Sequence, residues 1–219
     1  MSTTGSCHAG GYSGVSAFLC LVYEDLLGRL PDQGGLATFL GQLSFGTSRA
    51  QVAYEIATSS EYQGDLVGAI YEKFLGRPPD GGGLATFMGL LGSGASDQQV
   101  ISDVVGSPEF FADAGGTDTG FVTLSYETIL GRAPDAGGLA TFLGLLESGT
   151  TPSEVADDLL TSSEFKSDTV SYYYEHLFGR APDSSGLITQ LGLLDSGASI
   201  EQFIAGIVGS PEFYDDATS

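Results

Sequence analysis

Apolar residues recur along this chain three and four positions apart, and no stretch alternates in the two-residue rhythm of a half-buried strand. Leu36, Phe39, Leu40 and Leu43 line one face of a predicted helix. Leu84, Phe87, Met88 and Leu91 repeat that face, as do Leu139, Phe142, Leu143 and Leu146. Upstream, Leu19, Val22, Tyr23, Leu26 and Leu27 mark an earlier helix that Gly28 closes. Downstream, Val52 and Ile56, Val100 and Val104, Val155 and Leu159, and Phe203 and Ile207 mark a third. Each third helix opens on a capping-box pair: Ser48 with Gln51, Ser96 with Gln99, Thr151 with Glu154, Ser199 with Gln202. The second helix stops at Gly46, Gly94, Gly149 and Gly197, yet it also carries Gly41, Gly89, Gly144 or Gly192 in its interior. An interior glycine costs a helix about 1 kcal/mol relative to alanine. Its recurrence predicts that another backbone approaches closely there.

These elements belong to four copies of one unit. Tyr23-Glu24, Leu27-Gly28-Arg29, Pro31-Asp32 and Gly35-Leu36 return as Tyr71-Glu72, Leu75-Gly76-Arg77, Pro79-Asp80 and Gly83-Leu84. They return again around Arg132 and Asp135, and around Arg180 and Asp183. The arginines at 29, 77, 132 and 180 lie 48, 55 and 48 residues apart, so the pattern is a repeat of pairs with a period of 103. Unit endings agree: Ser59-Ser60-Glu61-Tyr62 matches Ser162-Ser163-Glu164-Phe165, and Ser107-Pro108-Glu109-Phe110 matches Ser210-Pro211-Glu212-Phe213. The expected fold is therefore all-α. It has four tandem helical repeats of about three helices each, arranged as a duplicated two-repeat module in which neighbours share a core. The expected divisions are a flexible Gly/Ser-rich tail at 1–14, repeats one and two at 15–113, a hinge at 114–120, and repeats three and four at 121–219.

Charge narrows the function more than the helices do. Seven basic and 28 acidic residues leave a net charge of -21. Nucleic-acid binding needs a basic face that releases phosphate counterions, so no nucleic-acid partner is expected. Docking on anionic lipid is disfavoured for the same reason. The apolar run from Tyr12 to Tyr23 is too short to span a bilayer, so no membrane insertion is expected. That run has no basic residue ahead of it and aligns with the first helix of the other repeats, so no cleaved signal peptide is expected. Cys7 and Cys20 are read as neither a disulfide framework nor a zinc site: Cys7 lies in the tail beside His8, and Cys20 occupies a small buried helix position.

Four charged positions recur in every repeat: Glu24, Glu72, Glu127 and Glu175; Arg29, Arg77, Arg132 and Arg180; Asp32, Asp80, Asp135 and Asp183; Glu61, Glu109, Glu164 and Glu212. Four of the seven basic residues are these arginines. Two readings follow. In one, each Arg bridges a carboxylate of its own repeat, and the late Glu meets a helix dipole. In the other, Arg29, Asp32, Arg77, Asp80, Arg132, Asp135, Arg180 and Asp183 form an exposed ridge that hydrogen-bonds sugar hydroxyls. Tyr172 and Tyr173 join that candidate ligand-binding set: Tyr172, Tyr173 and Tyr174 are adjacent, and three consecutive rings on a helix cannot all be buried. Glycoside hydrolysis needs one unequal carboxylate pair across a cleft, whereas four equal sets favour architecture, so no catalytic residue and no enzyme activity is expected. The Pro-Asp-x-x-Gly loop lacks the alternating ligands of an EF-hand, so no metal or other cofactor is expected and calcium is possible without being indicated by a loop motif.

The string Leu-x-Gly-Arg-x-Pro-Asp-x-x-Gly-Leu, then a capped helix, then Ser-x-Glu-aromatic, resembles an uncharacterised bacterial repeat domain of surface-layer, type I-secreted and other envelope proteins. That domain is similar in turn to the phycobilisome linker domain. The family often carries Trp where this chain has Phe39, Phe87, Phe142 and Gln190. The resemblance implies an extracellular or surface-associated module, and some surface-layer relatives hold cell-surface polysaccharide with calcium nearby. The expected function is thus non-enzymatic binding of cell-surface or capsular polysaccharide. The alternative is a structural subunit of a surface layer, filament or phage-like particle that contacts further copies, including a homo-oligomer.

Overall fold

The computed structural model describes residue 7 and residues 9–218. Within them every regular element is α-helical. In repeat one, α1 (Val15–Leu27), α2 (Gln33–Ser44) and α3 (Arg49–Ala57) follow the three predicted helices. The long α4 (Ser60–Leu75) joins the end of repeat one to the first helix of repeat two. Repeat two continues with α5 (Gly81–Gly92), α6 (Asp97–Val105) and the short α7 (Pro108–Asp113). Repeat three comprises α8 (Asp118–Ile129), α9 (Ala136–Glu147) and α10 (Pro152–Leu160). The long α11 (Ser163–Phe178) then leads into α12 (Ser184–Asp195), α13 (Ile200–Val208) and α14 (Pro211–Thr218). Fourteen helices are described where about twelve were expected. The Ser-Pro-Glu-Phe segments form helices of their own, α7 and α14, whereas the Ser-Ser-Glu segments merge with the next repeat in α4 and α11.

Local chemistry sets the boundaries. Gly28, Gly76, Gly131 and Gly179 take φ of 62 to 67°, the left-handed conformation that ends a helix without a Cβ clash. Asp32, Asp80, Asp135 and Asp183 then start the next helix, each accepting from the backbone N–H three residues on. The capping boxes are complete at Thr151–Glu154 and Ser199–Gln202. At Ser48 and Ser96 the hydroxyl accepts as expected, but Gln51 and Gln99 turn away and donate to Glu55 and Asp103.

Packing divides the chain into two compact units that do not coincide with the sequence halves. One contains residues 1–63 and 170–219, and the other residues 64–169. Repeats two and three thus share one core, and repeats one and four share the other. In the first of these, α6 packs on α10, and Phe110 meets Phe121 edge to face at 6.0 Å. In the second, α3 packs on α13, and Phe18 meets Phe213 edge to face at 6.1 Å. Phe18 and Phe121 lie 103 residues apart, as do Phe110 and Phe213. The same contact is therefore made across a short turn in one unit and between chain ends in the other.

Segment 114–120 was expected as a hinge between the sequence halves. It lies inside the unit of residues 64–169, where Gly115 and Gly116 take positive φ and a Cβ on Gly120 would sit 1.9 Å from the Ala114 carbonyl oxygen. The interior glycines also depart from expectation: a Cβ on Gly41, Gly89, Gly144 or Gly192 meets nothing within 4 Å. The tight approaches fall at Gly106, where a Cβ would lie 2.7 Å from the Ser153 backbone, and at Gly209, where it would lie 2.5 Å from the Ala50 backbone.

The described part of the tail is not free either. Cys7 is 1% exposed and forms a disulfide with Cys20 across a Cα–Cα distance of 5.8 Å. Tyr12 N–H donates to the Cys7 carbonyl, which turns the segment back on α1. Cys20 is buried in α1, as its alignment with small residues predicts. Residues 1–6 of the tail, and His8, lie outside the described residues. No helix among the described residues is long and apolar enough to cross a membrane.

Candidate functional site

The recurring charges assemble one set per repeat. Arg29 Nε and Nη2 donate to the two Glu61 oxygens at 2.5 and 2.7 Å, and Nη1 donates to the Leu30 carbonyl. Arg77 holds Glu109 at 2.5 Å from both nitrogens, and Arg132 holds Glu164 at 2.5 and 2.6 Å. Arg180 directs Nε and Nη2 to a single Glu212 oxygen. The planar guanidinium fork matches a carboxylate in two parallel hydrogen bonds, which fixes geometry as well as charge. Each Arg lies exactly 32 residues before its Glu, which sits in the first turn of the helix that follows the capped third helix.

An aromatic ring backs each pair. Tyr23, Tyr71, Tyr126 and Tyr174 lie beneath the guanidinium carbons of Arg29, Arg77, Arg132 and Arg180 at 5.2 to 5.5 Å, within cation–π range. A Cβ on Gly35, Gly83 or Gly138 would fall 2.2 to 2.5 Å from the same tyrosine hydroxyl. Glycine is thus required there because the tyrosine occupies the space a side chain would need. At Gly186 the corresponding distance relaxes to 3.1 Å.

Electrostatics follow this geometry. Hydrogen bonds from their arginines hold the Glu61, Glu109 and Glu164 carboxyls below the usual glutamate range. The same bonds push the four guanidinium groups further up. Asp32, Asp80 and Asp135 are held low chiefly by the Gly35, Gly83 and Gly138 backbone N–H groups. Burial raises the Tyr23, Tyr71 and Tyr126 hydroxyls.

The candidate ligand residues therefore separate into two kinds. Arg29, Arg77, Arg132 and Arg180 each commit three N–H groups within the protein, and Asp32, Asp80, Asp135 and Asp183 cap helices. Tyr173 is half-buried and packs edge-on against Phe203 at 5.7 Å. Tyr172 is different: it is 60% exposed, and its ring lies 3° from parallel with the His176 imidazole at 5.8 Å. His176 was missed because it reads as a variable surface position. The signal was the i, i+4 spacing that puts it beside Tyr172 on one helix face.

Exposed apolar side chains add a second missed feature. Val15, Leu30, Phe45, Tyr172, Ile188 and Leu193 are the exposed large hydrophobics among the described residues, and all lie in the unit of residues 1–63 and 170–219. Phe45 is 94% and Ile188 71% exposed. Sister repeats hold Ser93, Ser148 and Ser196 where repeat one has Phe45, and Ala37, Ala85 and Ala140 where repeat four has Ile188. The two units share a scaffold and differ in what one of them shows to solvent.

Cys7, Cys20 and Glu24 bring three potential ligand atoms within 4.8 Å of one another. With the two sulfurs joined there is no thiolate to hold a metal.

The family described as a domain of unknown function, DUF4214, matches the chain four times, over residues 12–66, 63–114, 101–169 and 166–216. These segments follow the four repeats. No curated protein and no solved structure matches the chain.

Proposed function

We propose that this chain, which belongs to the DUF4214 family, is a non-enzymatic, extracellular or surface-associated module that binds cell-surface or capsular polysaccharide. The observation that carries this reading is the confinement of exposed aromatic and aliphatic side chains to one of two similar units, with Tyr172 and His176 stacked in the open. Side chains that serve the scaffold recur in every repeat. Those that depart from it at exposed positions are free to recognise something. Tyr172 offers a flat apolar face with a polar rim, the form that stacks on a sugar ring. The acidic surface complements hydroxyl donors, because ionised carboxylates are pure acceptors. The Arg29–Glu61 and Arg180–Glu212 pairs tie down the scaffold of the unit that presents this face. The Cys7–Cys20 bond supports an oxidising compartment, in line with the resemblance to surface-layer and secreted proteins.

The test is retention of the chain on isolated capsular and envelope polysaccharides. Tyr172→Ala is expected to weaken retention about tenfold, on the order of 1.4 kcal/mol, and to leave thermal unfolding unchanged. Undiminished retention by Tyr172→Ala overturns the assignment of this face.

The same exposed apolar residues favour a second reading, a structural subunit of a surface layer, filament or particle that acts through protein contacts. Phe45 and Ile188 suit a protein contact better than a sugar, since neither carries a polar handle.

A further inference from the structure

The two units close in the same way but are wired differently. In the unit of residues 64–169, Gly106 at the end of α6 rests on Ser153 at the start of α10. In the other, Gly209 at the end of α13 rests on Ala50 at the start of α3. Gly209 is Gly106 moved by the 103-residue period, and Ser153 is Ala50 moved by the same period. The ring pairs obey the same rule. Phe110–Phe121 and Phe111–Phe121 in one unit correspond to Phe18–Phe213 and Phe18–Tyr214 in the other. Repeat two thus offers its end to the next repeat along the chain. Repeat four offers the same end and closes on repeat one.

We propose that this repeat-four to repeat-one junction is exchangeable, so that repeat four of one copy docks on repeat one of a second copy of this chain. Three features carry the inference. First, the two faces are complementary by construction, because the junction between repeats two and three uses the same positions. Second, no disulfide crosses between the halves of this unit, since the Cys7–Cys20 bond lies wholly within residues 7–20. Third, repeat one carries a device at the junction that repeat three lacks. Arg49 donates to the Gly209 carbonyl at 3.5 Å and lies 4.3 Å above the Tyr214 ring, where repeat three has Pro152 and repeat two has Phe111. A cation that caps a helix end and stacks on an aromatic ring marks repeat one as the partner of repeat four.

Exchange of this kind uses a donor face and a different acceptor face, so it is heterologous: each copy adds to the next, and growth ends only when a ring closes. Closure within one chain is favoured at low concentration because the tethered halves see each other at a high effective concentration. Association takes over as the chain becomes concentrated. This goes beyond the sugar-binding reading and does not use Tyr172, so the retention test and the test below fail independently.

The test mixes two full-length variants. Ala50→Trp blocks the acceptor face and Gly209→Trp blocks the donor face, while the core of residues 64–169 is untouched in both. Neither variant can close its own junction, but the donor face of the first still fits the acceptor face of the second. Native mass spectrometry is expected to find each variant alone at the 22.6 kDa chain mass and the mixture as a 1:1 complex of twice that mass. A mixture that stays as two monomers overturns the proposal. As an independent arm, the unmodified chain is unfolded and refolded over a hundredfold range of concentration. Dimers or larger species that grow with concentration support exchange, and a single chain mass throughout contradicts it.

Discussion

Phe213→Ala is expected to cost about 3 to 5 kcal/mol, the range for removing a fully buried aromatic ring. Phe213 is wholly buried and contacts Phe18 and Phe178 edge to face, so truncation leaves a cavity between chain segments far apart in sequence. A compact domain is stable by only about 5 to 15 kcal/mol, so the loss removes a large share of the stability of its unit. The unit of residues 64–169 does not contain Phe213 and retains its own core around Phe110 and Phe121. Denaturant unfolding of the variant is therefore expected to separate into two transitions, with the early one displaced and the late one at the parent midpoint. A single transition displaced as a whole contradicts the division into two cores.

Gly106→Ala and Gly144→Ala make the same chemical change within one unit and are expected to act in opposite directions. At Gly106 the new methyl would lie 2.7 Å from the Ser153 backbone and nearer still to its hydroxyl. The backbone conformation there suits any residue, with φ of -75°, so the conflict is one of space. Overpacking of this kind costs about 1 to 3 kcal/mol. At Gly144, in the middle of α9, the methyl meets nothing within 4 Å, and the helix gains up to about 1 kcal/mol from the better residue. Calorimetry of the two variants tests both signs. A stabilising Gly106→Ala contradicts the close approach of α6 to α10.

The helices and their ends were legible in the sequence because they depend on neighbours three or four residues away. Asp32 capping α2, Gly28 closing α1 and Ser199 opening α13 are all local events. The Arg–Glu pairs were legible as one of two alternatives, since a scarce cation at a fixed place in each repeat suggested internal use. What the sequence left open was partnership over distance. Repeats alike in sequence carry alike local signals, and Arg49 names no partner until the fold sets Gly209 and Tyr214 beside it, so the packing of α3 on α13 could not be read from repeat one. The glycines illustrate the same limit. Gly41 and its counterparts recur in every repeat but leave open space where a Cβ would stand, whereas Gly106 and Gly209 occur in alternate repeats, with Thr58 and Thr161 in the others, and mark the close backbone approaches. Alternation with the 103-residue period was the sign that they serve a junction between unlike repeats. The disulfide escaped because Cys7 sits in a polar stretch whose turn back onto α1 has no strong sequence signal. Tyr172 stood out by adjacency to two other tyrosines, but only packing showed which of the three remains in solvent.

Residue-resolved hydrogen exchange of the Phe213→Ala chain beside its parent tests the pairing of repeats most directly. Faster exchange is expected in α3 together with α13, at residues 49–57 and 200–208, with unchanged protection in α6 and α10. Faster exchange in α10 with α13, while α3 keeps its parent protection, would contradict that pairing.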